Sequence, residues 1–255
     1  MIEFENVSKR FGRTRAVNHL SLRVEPGEFV ALLGESGCGK TTCLRMINRL
    51  IDLDEGYISV NGEHVSDHDP VQLRRGIGYV IQGVGLFPHY TVARNIASVP
   101  TLLGWPKAEI DARVSELLDL VSLPASQFAN RMPRQLSGGQ RQRIGVARAL
   151  AARPNVMLMD EPFGALDPIT RAELQDEFRA LQQRLELTVV MVTHDVSEAL
   201  LMADRIAVMH AGELLQMGTP RELLTKPAND TIASLMAMPK ARADRVEALM
   251  KADPS

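Results

Sequence analysis

The segment "GESGCGKT", which runs from Gly34 to Thr41, combines the residue types that bind phosphate. It has two glycines separated by four residues and followed by lysine and threonine, which is the phosphate-loop pattern. Glycines let successive backbone amides face one anion, and the N-terminus of a following helix adds its positive end. We expect a nucleoside triphosphate here, with Lys40 on the β- and γ-phosphates and Thr41 on Mg²⁺. The alternative is an ordinary glycine turn between a strand and a helix.

Two carboxylates follow a buried strand in "VMLMDE", residues 156–161. Ligands of α/β sheets bind at the carboxyl ends of the strands, so Asp160 and Glu161 are expected beside the phosphates. Asp160 would orient Mg²⁺ or its water, and Glu161 would polarise an attacking water, a role that contributes ~10² to 10⁴ in rate. A solvated turn is the alternative. Because nucleotide binding alone does not need Glu161, this residue favours hydrolysis.

Three more residues have a possible nucleotide role and a structural alternative. Gln82 follows the strand "IGYVI" and His194 follows "TVVMVT", so both can reach the same sheet edge and contact the γ-phosphate. Taken singly, each can equally be a polar cap whose hydrogen bonds are satisfied locally. Phe11, in "KRFG", is either an exposed loop aromatic that stacks on adenine or a core residue.

A second glycine-containing segment, "LSGGQRQR", begins at Leu136 and resembles a phosphate loop without a lysine. Ser137 and the amides of Gly138 and Gly139 stand at the start of the predicted helix "GQRQRIGVARALAA". This position suits a γ-phosphate that is already held on its other side.

The elements that position these residues follow from the apolar pattern. The first third of the chain reads as strands, and a helical insertion extends from about residue 87 to 152. Strand and helix then alternate through "VMLMD", "TVVMVT" and "RIAVMH", which indicates a mainly parallel sheet. We therefore predict an α/β fold: a P-loop NTPase core with a mainly parallel sheet, an N-terminal antiparallel β portion and an inserted α-helical subdomain. Residues 1–225 form this domain, and 226–255 form a short helical tail.

Composition excludes several classes of protein. The 255 residues carry a net charge of -2 with acids and bases interspersed, so no basic surface for nucleic acid is expected. No apolar run approaches the ~18 to 20 residues that cross a bilayer. The chain is expected in the cytoplasm, unless a partner holds it to a membrane. Cys38 and Cys43 are expected to be reduced thiols.

The phosphate loop, Gln82, "LSGGQ", "MDEP", "GALD" and "THD" occur in an order that resembles the ATP-binding subunit of ABC transporters over about residues 1–225. The resemblance implies ATP and Mg²⁺ as ligands. It implies nucleotide contacts from Phe11, Gly34, Glu35, Ser36, Gly37, Cys38, Gly39, Lys40, Thr41, Thr42, Gln82, Ser137, Gly138, Gly139, Gln140, Asp160 and Asp167. It assigns Mg²⁺ contacts to Thr41, Gln82 and Asp160, catalysis to Lys40, to Glu161 as general base and to His194 as γ-phosphate sensor, and a dimer contact to Asp167.

The same resemblance implies the partners. Two such domains pair head to tail, as a homodimer or with a related ATPase subunit, and each ATP lies between the phosphate loop of one subunit and the "LSGGQ" of the other. The apolar residues between Leu86 and Tyr90 are expected to contact a separate membrane permease, unless they only pack the insertion. An external substrate-binding protein completes such systems. The chain would then lie on the inner face of the membrane.

Three stretches, "LRMINRLI", "GYVIQGVGLFPHYTVARNIA" and "MDEPFGALDPITRAELQ", resemble the ATPases of importers for osmoprotectants such as glycine betaine or choline. The alternatives are an importer of another small solute, such as an amino acid or a polyamine, and a non-transport ABC ATPase. Chromosome-handling ATPases insert long coiled coils, and the sequence shows no sustained heptads. Many relatives continue into regulatory ligand-sensing modules, whereas this sequence ends at Ser255, so such regulation is not expected.

Overall fold

Two β-sheets with helices around them form the protein in the computed structural model. The model describes residues 1–251, without the side chains of Lys240, Arg242, Ala243 and residues 246–251. The strands are β1 (Ile2–Phe11), β2 (Thr14–Val24), β3 (Phe29–Leu33), β4 (Glu55–Val60), β5 (Glu63–His64), β6 (Ile77–Val80), β7 (Val156–Asp160), β8 (Thr188–Thr193), β9 (Arg205–His210) and β10 (Glu213–Gly218). The α-helices are α1 (Lys40–Ile47), α2 (Pro70–Gly76), α3 (Val92–Ile96), α4 (Ser98–Leu102), α5 (Lys107–Leu120), α6 (Ala125–Phe128), α7 (Gly138–Leu150), α8 (Pro168–Leu185), α9 (Val196–Met202), α10 (Pro220–Thr225) and α11 (Asp230–Lys251).

The smaller sheet is antiparallel and has the strand order β2-β1-β4-β5. Phe4 of β1 pairs with Leu22 on one side and with Ile58 on the other, and all three side chains are buried. They belong to a core that also contains Leu44 and Ile47 of α1, so this sheet supports the helix that follows the phosphate loop. The predicted N-terminal antiparallel portion is confirmed.

The larger sheet has the order β10-β9-β3-β8-β7-β6 and is parallel except for the β9–β10 pair. Leu33 pairs with Thr193, Asp160 pairs with Val192, and Val80 pairs with Met159, so β3, β8, β7 and β6 end at one edge. Both faces of this sheet are covered, which explains why its central strands are almost continuously apolar. The predicted mainly parallel sheet is also confirmed.

The segment between β6 and β7 is helical, as expected from its pattern. On α5, Val114, Leu117 and Leu118 are buried in the core shared with α7. Arg113 of α5 donates to the carbonyl of Leu150 at 2.8 Å, which satisfies a free carbonyl at the C-terminal end of α7. The insertion is thereby attached to the helix that begins at the second glycine segment.

The C-terminal part begins with the predicted capping box of α10, in which Thr219 and Glu222 bond reciprocally. Helix α11 follows, and its Ile232 and Met236 are buried in the main core. The tail therefore packs on the domain through its first turns, while 252–255 lie outside the described residues. Over residues 1–251, no helix is both long and apolar enough to span a membrane.

Phe178 connects the parallel sheet to α8, so we predict that Phe178→Ala destabilises the protein strongly. Its ring meets those of Phe29 and Phe163 with centroids 6.1 and 6.4 Å away, and 4% of the residue is exposed. Removing such a side chain costs about 3–5 kcal/mol because a cavity remains. Urea unfolding followed by circular dichroism measures the loss. Leu201→Ala, at a residue that is 78% exposed, is the control and should stay within about 0.5 kcal/mol.

Candidate active site

The phosphate loop connects β3 to α1 and surrounds the ammonium group of Lys40. The Nζ atom donates to the carbonyls of Gly34 at 2.7 Å and Glu35 at 2.8 Å, and it lies 3.6 Å from Cys38 Sγ. Only 5% of Lys40 is exposed. The cation is therefore held at the base of the loop by carbonyl oxygens, which fix its position without neutralising its charge.

Glycine is required where the loop approaches other parts of the backbone. A Cβ on Gly34 would lie 2.2 Å from the carbonyl oxygen of Met209, and one on Gly39 would lie 2.2 Å from that of Ala16. Gly39 also has a φ of 104°, a value that other residues rarely adopt. The spacing recognised in the sequence thus reflects two contacts that exclude any side chain.

A hydroxyl and a carboxylate meet at the start of α1 and the end of β7. Thr41 Oγ1 donates to Asp160 Oδ1 at 3.0 Å, and Arg45 Nη2 lies 3.8 Å from Asp160 Oδ2. Burial raises the pKa of Asp160, although the bond from Thr41 acts in the opposite direction. A partly buried hydroxyl next to a buried carboxylate supplies hard oxygen ligands that fit Mg²⁺, which binds through one or two protein groups together with phosphate oxygens.

Glu161 lies between the two polar residues predicted at the neighbouring strand ends. Its Oε2 accepts from Gln82 Nε2 at 3.1 Å, and its Oε1 lies 3.2 Å from His194 Nδ1. The backbone of Glu161 has a φ of 45°, and its amide bonds the carbonyl of Val192 at 3.0 Å. This left-handed conformation costs energy, and such strain is concentrated at functional sites. The structure thus brings together Gln82, Glu161 and His194 at one edge.

A polar pocket joins the phosphate loop to this carboxylate. Its lining residues are Ala16, Ser36, Gly37, Gly39, Lys40, Thr41, Thr42 and Glu161. Phe11 is the last residue of β1 and not a loop residue as predicted, because β1 and β2 pair up to Phe11 and Thr14. Its ring is nevertheless 50% exposed, and it belongs to the hairpin whose second strand brings Ala16 to the pocket.

The second glycine segment forms the N-terminus of α7. Ser137 caps this helix: its Oγ accepts from the amide of Gln140 at 3.2 Å, and its amide donates to Gln140 Oε1 at 3.0 Å. Gly139 is buried, and a Cβ there would lie 2.5 Å from Thr170 on α8. Of the residues the structure describes, none from 137 to 140 lines the phosphate-loop pocket. Within one chain, the two glycine segments therefore do not line the same pocket.

Asp167 caps α8 beside this segment. Its carboxylate accepts from the amide of Thr170 at 3.1 Å, and this backbone bond lowers the pKa of Asp167. No local pattern indicates that Arg45 lies next to Asp160, because that contact joins residues 115 positions apart. Nor does one indicate that Ala16 lines the pocket. Gly145, a glycine inside the predicted helix, is the kind of residue that indicates a close contact on α7.

Comparison with known proteins agrees with this geometry. Residues 17–164 match the family model described as "ABC transporter". The choline transport ATP-binding protein OpuBA of Bacillus subtilis is 50% identical over all of this chain. The glycine betaine/carnitine/choline transport ATP-binding protein OpuCA of the same organism is 51% identical, also over all of it. The chain spans 68% of the length of each of these two relatives.

Among solved structures, the ATP-binding cassette MJ0796 in a dimeric post-hydrolysis state with ADP and Pi superposes with a TM-score of 0.76. It is 34% identical, and the match covers 87% of this chain and 99% of that one. The phosphate loop, the strand-end carboxylates and the capped glycine segment thus occur on the fold of known ATP-binding cassettes. The chain belongs to the ABC transporter family, as one of its ATP-binding proteins.

Proposed function

We propose that the chain is the ATP-hydrolysing subunit of an importer for osmoprotectants of the quaternary-amine class, such as glycine betaine or choline. One observation carries the hydrolytic part: Glu161 is fixed between Gln82 and His194 and lines the pocket formed by the phosphate loop. A protein that only binds nucleotide does not need a carboxylate at that point. The substrate class is supported by the relatives named for choline and glycine betaine transport.

ATP binds with its phosphates in the loop. The amides from Gly37 to Thr41 and the Lys40 ammonium neutralise the β- and γ-phosphates, and the N-terminus of α1 adds its positive end. Phe11 offers an exposed ring for the adenine. Thr41 and Asp160 would hold Mg²⁺, which would offset negative charge on the triphosphate.

Hydrolysis then uses Glu161 as the general base. Glu161 accepts a proton from water as the water oxygen bonds to the γ-phosphorus, and the bond from that phosphorus to the bridging β–γ oxygen breaks to give ADP and phosphate. Gln82 and His194 each contact one carboxylate oxygen, so they fix its direction. His194 has an exposed side chain, which leaves it able to contact the γ-phosphate.

The separate positions of the two glycine segments support a head-to-tail dimer. In such a dimer Ser137 and the N-terminus of α7 contact the γ-phosphate bound to the partner's loop. The closed dimer is favoured only while the γ-phosphate joins both chains, so hydrolysis weakens it. Asp167, exposed at the start of α8, lies beside this surface.

A cleft next to Gln82 supports a permease contact on the inner face of the membrane. Its lining includes Ile81, Phe87, Leu102 and Arg148. The rings of Phe87 and Tyr90 lie with centroids 5.1 Å apart, and those of His89 and Tyr90 lie 4.5 Å apart. Leu86 packs partly against the main core, whereas Phe87 and His89 are exposed. We therefore place the permease contact between Leu86 and Tyr90, with Phe87 and His89 as its most exposed side chains.

Buried Asn95 gives this segment a fixed conformation. Its Oδ1 accepts from the amide of Phe87 at 2.8 Å, and its Nδ2 donates to the carbonyls of Phe87, Tyr90 and Thr91 at 3.0 to 3.2 Å. A loop held in this way keeps the ring of Phe87 in place at the cleft. Movement of a bound permease helix can then be transmitted through this loop to Gln82 in the hydrolytic site.

We predict that Glu161→Gln lowers the rate of Mg-ATP hydrolysis by ~10² or more, because the general base is lost. ATP binding persists, since the substitution leaves Lys40 and the loop untouched. An ATP-dependent dimer therefore accumulates, which light scattering detects. Hydrolysis at the wild-type rate in this variant would remove Glu161 from the mechanism.

In cells that lack other osmoprotectant uptake systems, the wild-type chain should support uptake of labelled glycine betaine or choline, with spermidine as the comparison solute. Phe87→Ala or His89→Ala should reduce this uptake at least ~10-fold, while the purified variants bind and hydrolyse ATP like the wild type. Tyr57→Ala is the control, because Tyr57 is an exposed aromatic on the other sheet. Uptake of spermidine alone would contradict the substrate class, and loss of ATP binding in Phe87→Ala would contradict the permease contact.

A further inference from the structure

The segment that carries Gln82 has an unusual backbone. Gly83, Val84 and Gly85 have φ values of 75°, 69° and 55°, so three consecutive residues are left-handed. Two are glycines, which adopt this conformation without cost, but Val84 is β-branched and is strained there. A strained residue persists only where its surroundings hold it.

Local contacts close this segment into a tight turn. The amide of Val84 donates to the carbonyl of Ile81 at 3.1 Å, and that of Gly85 donates to Gly83 at 2.9 Å. The Ile81 side chain packs on Gly85, where a Cβ would lie 2.2 Å from its Cδ1. Gln82 is therefore inside a closed loop, and its side-chain direction depends on where Val84 is held.

Helix α7 holds Val84 in two ways. Gly145 leaves space for the valine side chain, since a Cβ on Gly145 would lie 2.8 Å from Val84 Cγ1. Arg148, one turn further along the same helix, donates from Nη2 to the carbonyl of Val84 at 2.9 Å and from Nη1 to that of Gly85 at 2.7 Å. The forked guanidinium matches two adjacent carbonyls, which a lysine ammonium does not.

The same helix begins at the capped glycine segment. Helix α7 has 13 residues, or about 20 Å at the usual rise per residue. Its N-terminus carries Ser137, and its C-terminal half carries Gly145 and Arg148. A rigid element therefore joins the second glycine segment to the turn that aims Gln82 at Glu161.

We propose that Val84, Gly145 and Arg148 form a latch through which α7 positions Gln82, and with it Glu161, for hydrolysis in the same subunit. The inference rests on the proposed function, because it takes Glu161 as the base and the N-terminus of α7 as the contact to the partner's ATP. In this arrangement, the helix that carries Ser137 also orders the hydrolytic site of its own chain. Val84, Gly145 and Arg148 are positioning residues.

The test changes the side-chain size on each side of the contact between Gly145 and Val84. Gly145→Ala pushes Val84 away from α7, so kcat for Mg-ATP hydrolysis should fall ~10- to 100-fold through misplacement of Gln82. The KM for ATP should stay within about twofold, because the phosphate loop is unchanged. Adding Val84→Gly removes the clash and should restore kcat to within about threefold of the wild type. Gly76→Ala is the control, since a Cβ there meets no neighbouring atom within 4 Å.

Arg148→Lys gives an independent measurement if Gly145→Ala lowers the melting temperature. It should show the same fall in kcat at constant KM, because one of the two hydrogen bonds to the carbonyls of Val84 and Gly85 is lost. Wild-type kcat in both variants, or no recovery on adding Val84→Gly, would overturn the latch. Glu161→Gln measured alongside separates the two ideas. Full hydrolysis in that variant contradicts the proposed function, whereas loss of its hydrolysis together with wild-type kcat in both Gly145→Ala and Arg148→Lys contradicts the latch alone.

Discussion

Four neighbouring strands, β3, β8, β7 and β6, end at one edge of the parallel sheet, and their hydrogen-bonded register fixes how far apart their last residues lie. The phosphate loop and the polar residues around Glu161 are attached to these ends. The phosphate loop leaves β3, His194 follows β8, Glu161 follows β7, and Gln82 stands just beyond β6. The distances of 3.1 and 3.2 Å around the Glu161 carboxylate are consequences of this register.

In the proposed mechanism, the second glycine segment makes the site depend on a partner chain. It has the capped helix N-terminus that suits an anion, yet it lies outside the pocket of its own chain. In the proposed dimer, the γ-phosphate lies between two chains and contacts both surfaces. Helix α7 then connects this contact to the Gln82 turn through Gly145 and Arg148. Binding between subunits and hydrolysis within each subunit thus share one rigid element.

The sequence predicted those parts of the site that depend on residue type and short spacing. Gly34, Gly39 and Lys40 act within six residues of one another, and Asp160 and Glu161 follow directly from a strand that is easily recognised. Contacts between distant segments were missed, such as Arg45 with Asp160, because no local pattern encodes them. The strand position of Phe11 depends on pairing with β2, and the left-handed Val84 depends on α7. The first is set by the pairing of Phe11 with Thr14 across a short hairpin, and the second by tertiary contacts that override local preference.

The central claim is that each ATP is held by the phosphate loop of one chain and the glycine segment of another. Mixing two inactive variants, Lys40→Ala and Ser137→Arg, tests it most directly. A mixed dimer contains one intact site, made from the loop of the Ser137→Arg chain and the glycine segment of the Lys40→Ala chain. We predict that the equimolar mixture hydrolyses ATP well above the sum of the two variants alone. A mixture no more active than that sum would contradict a site shared between chains.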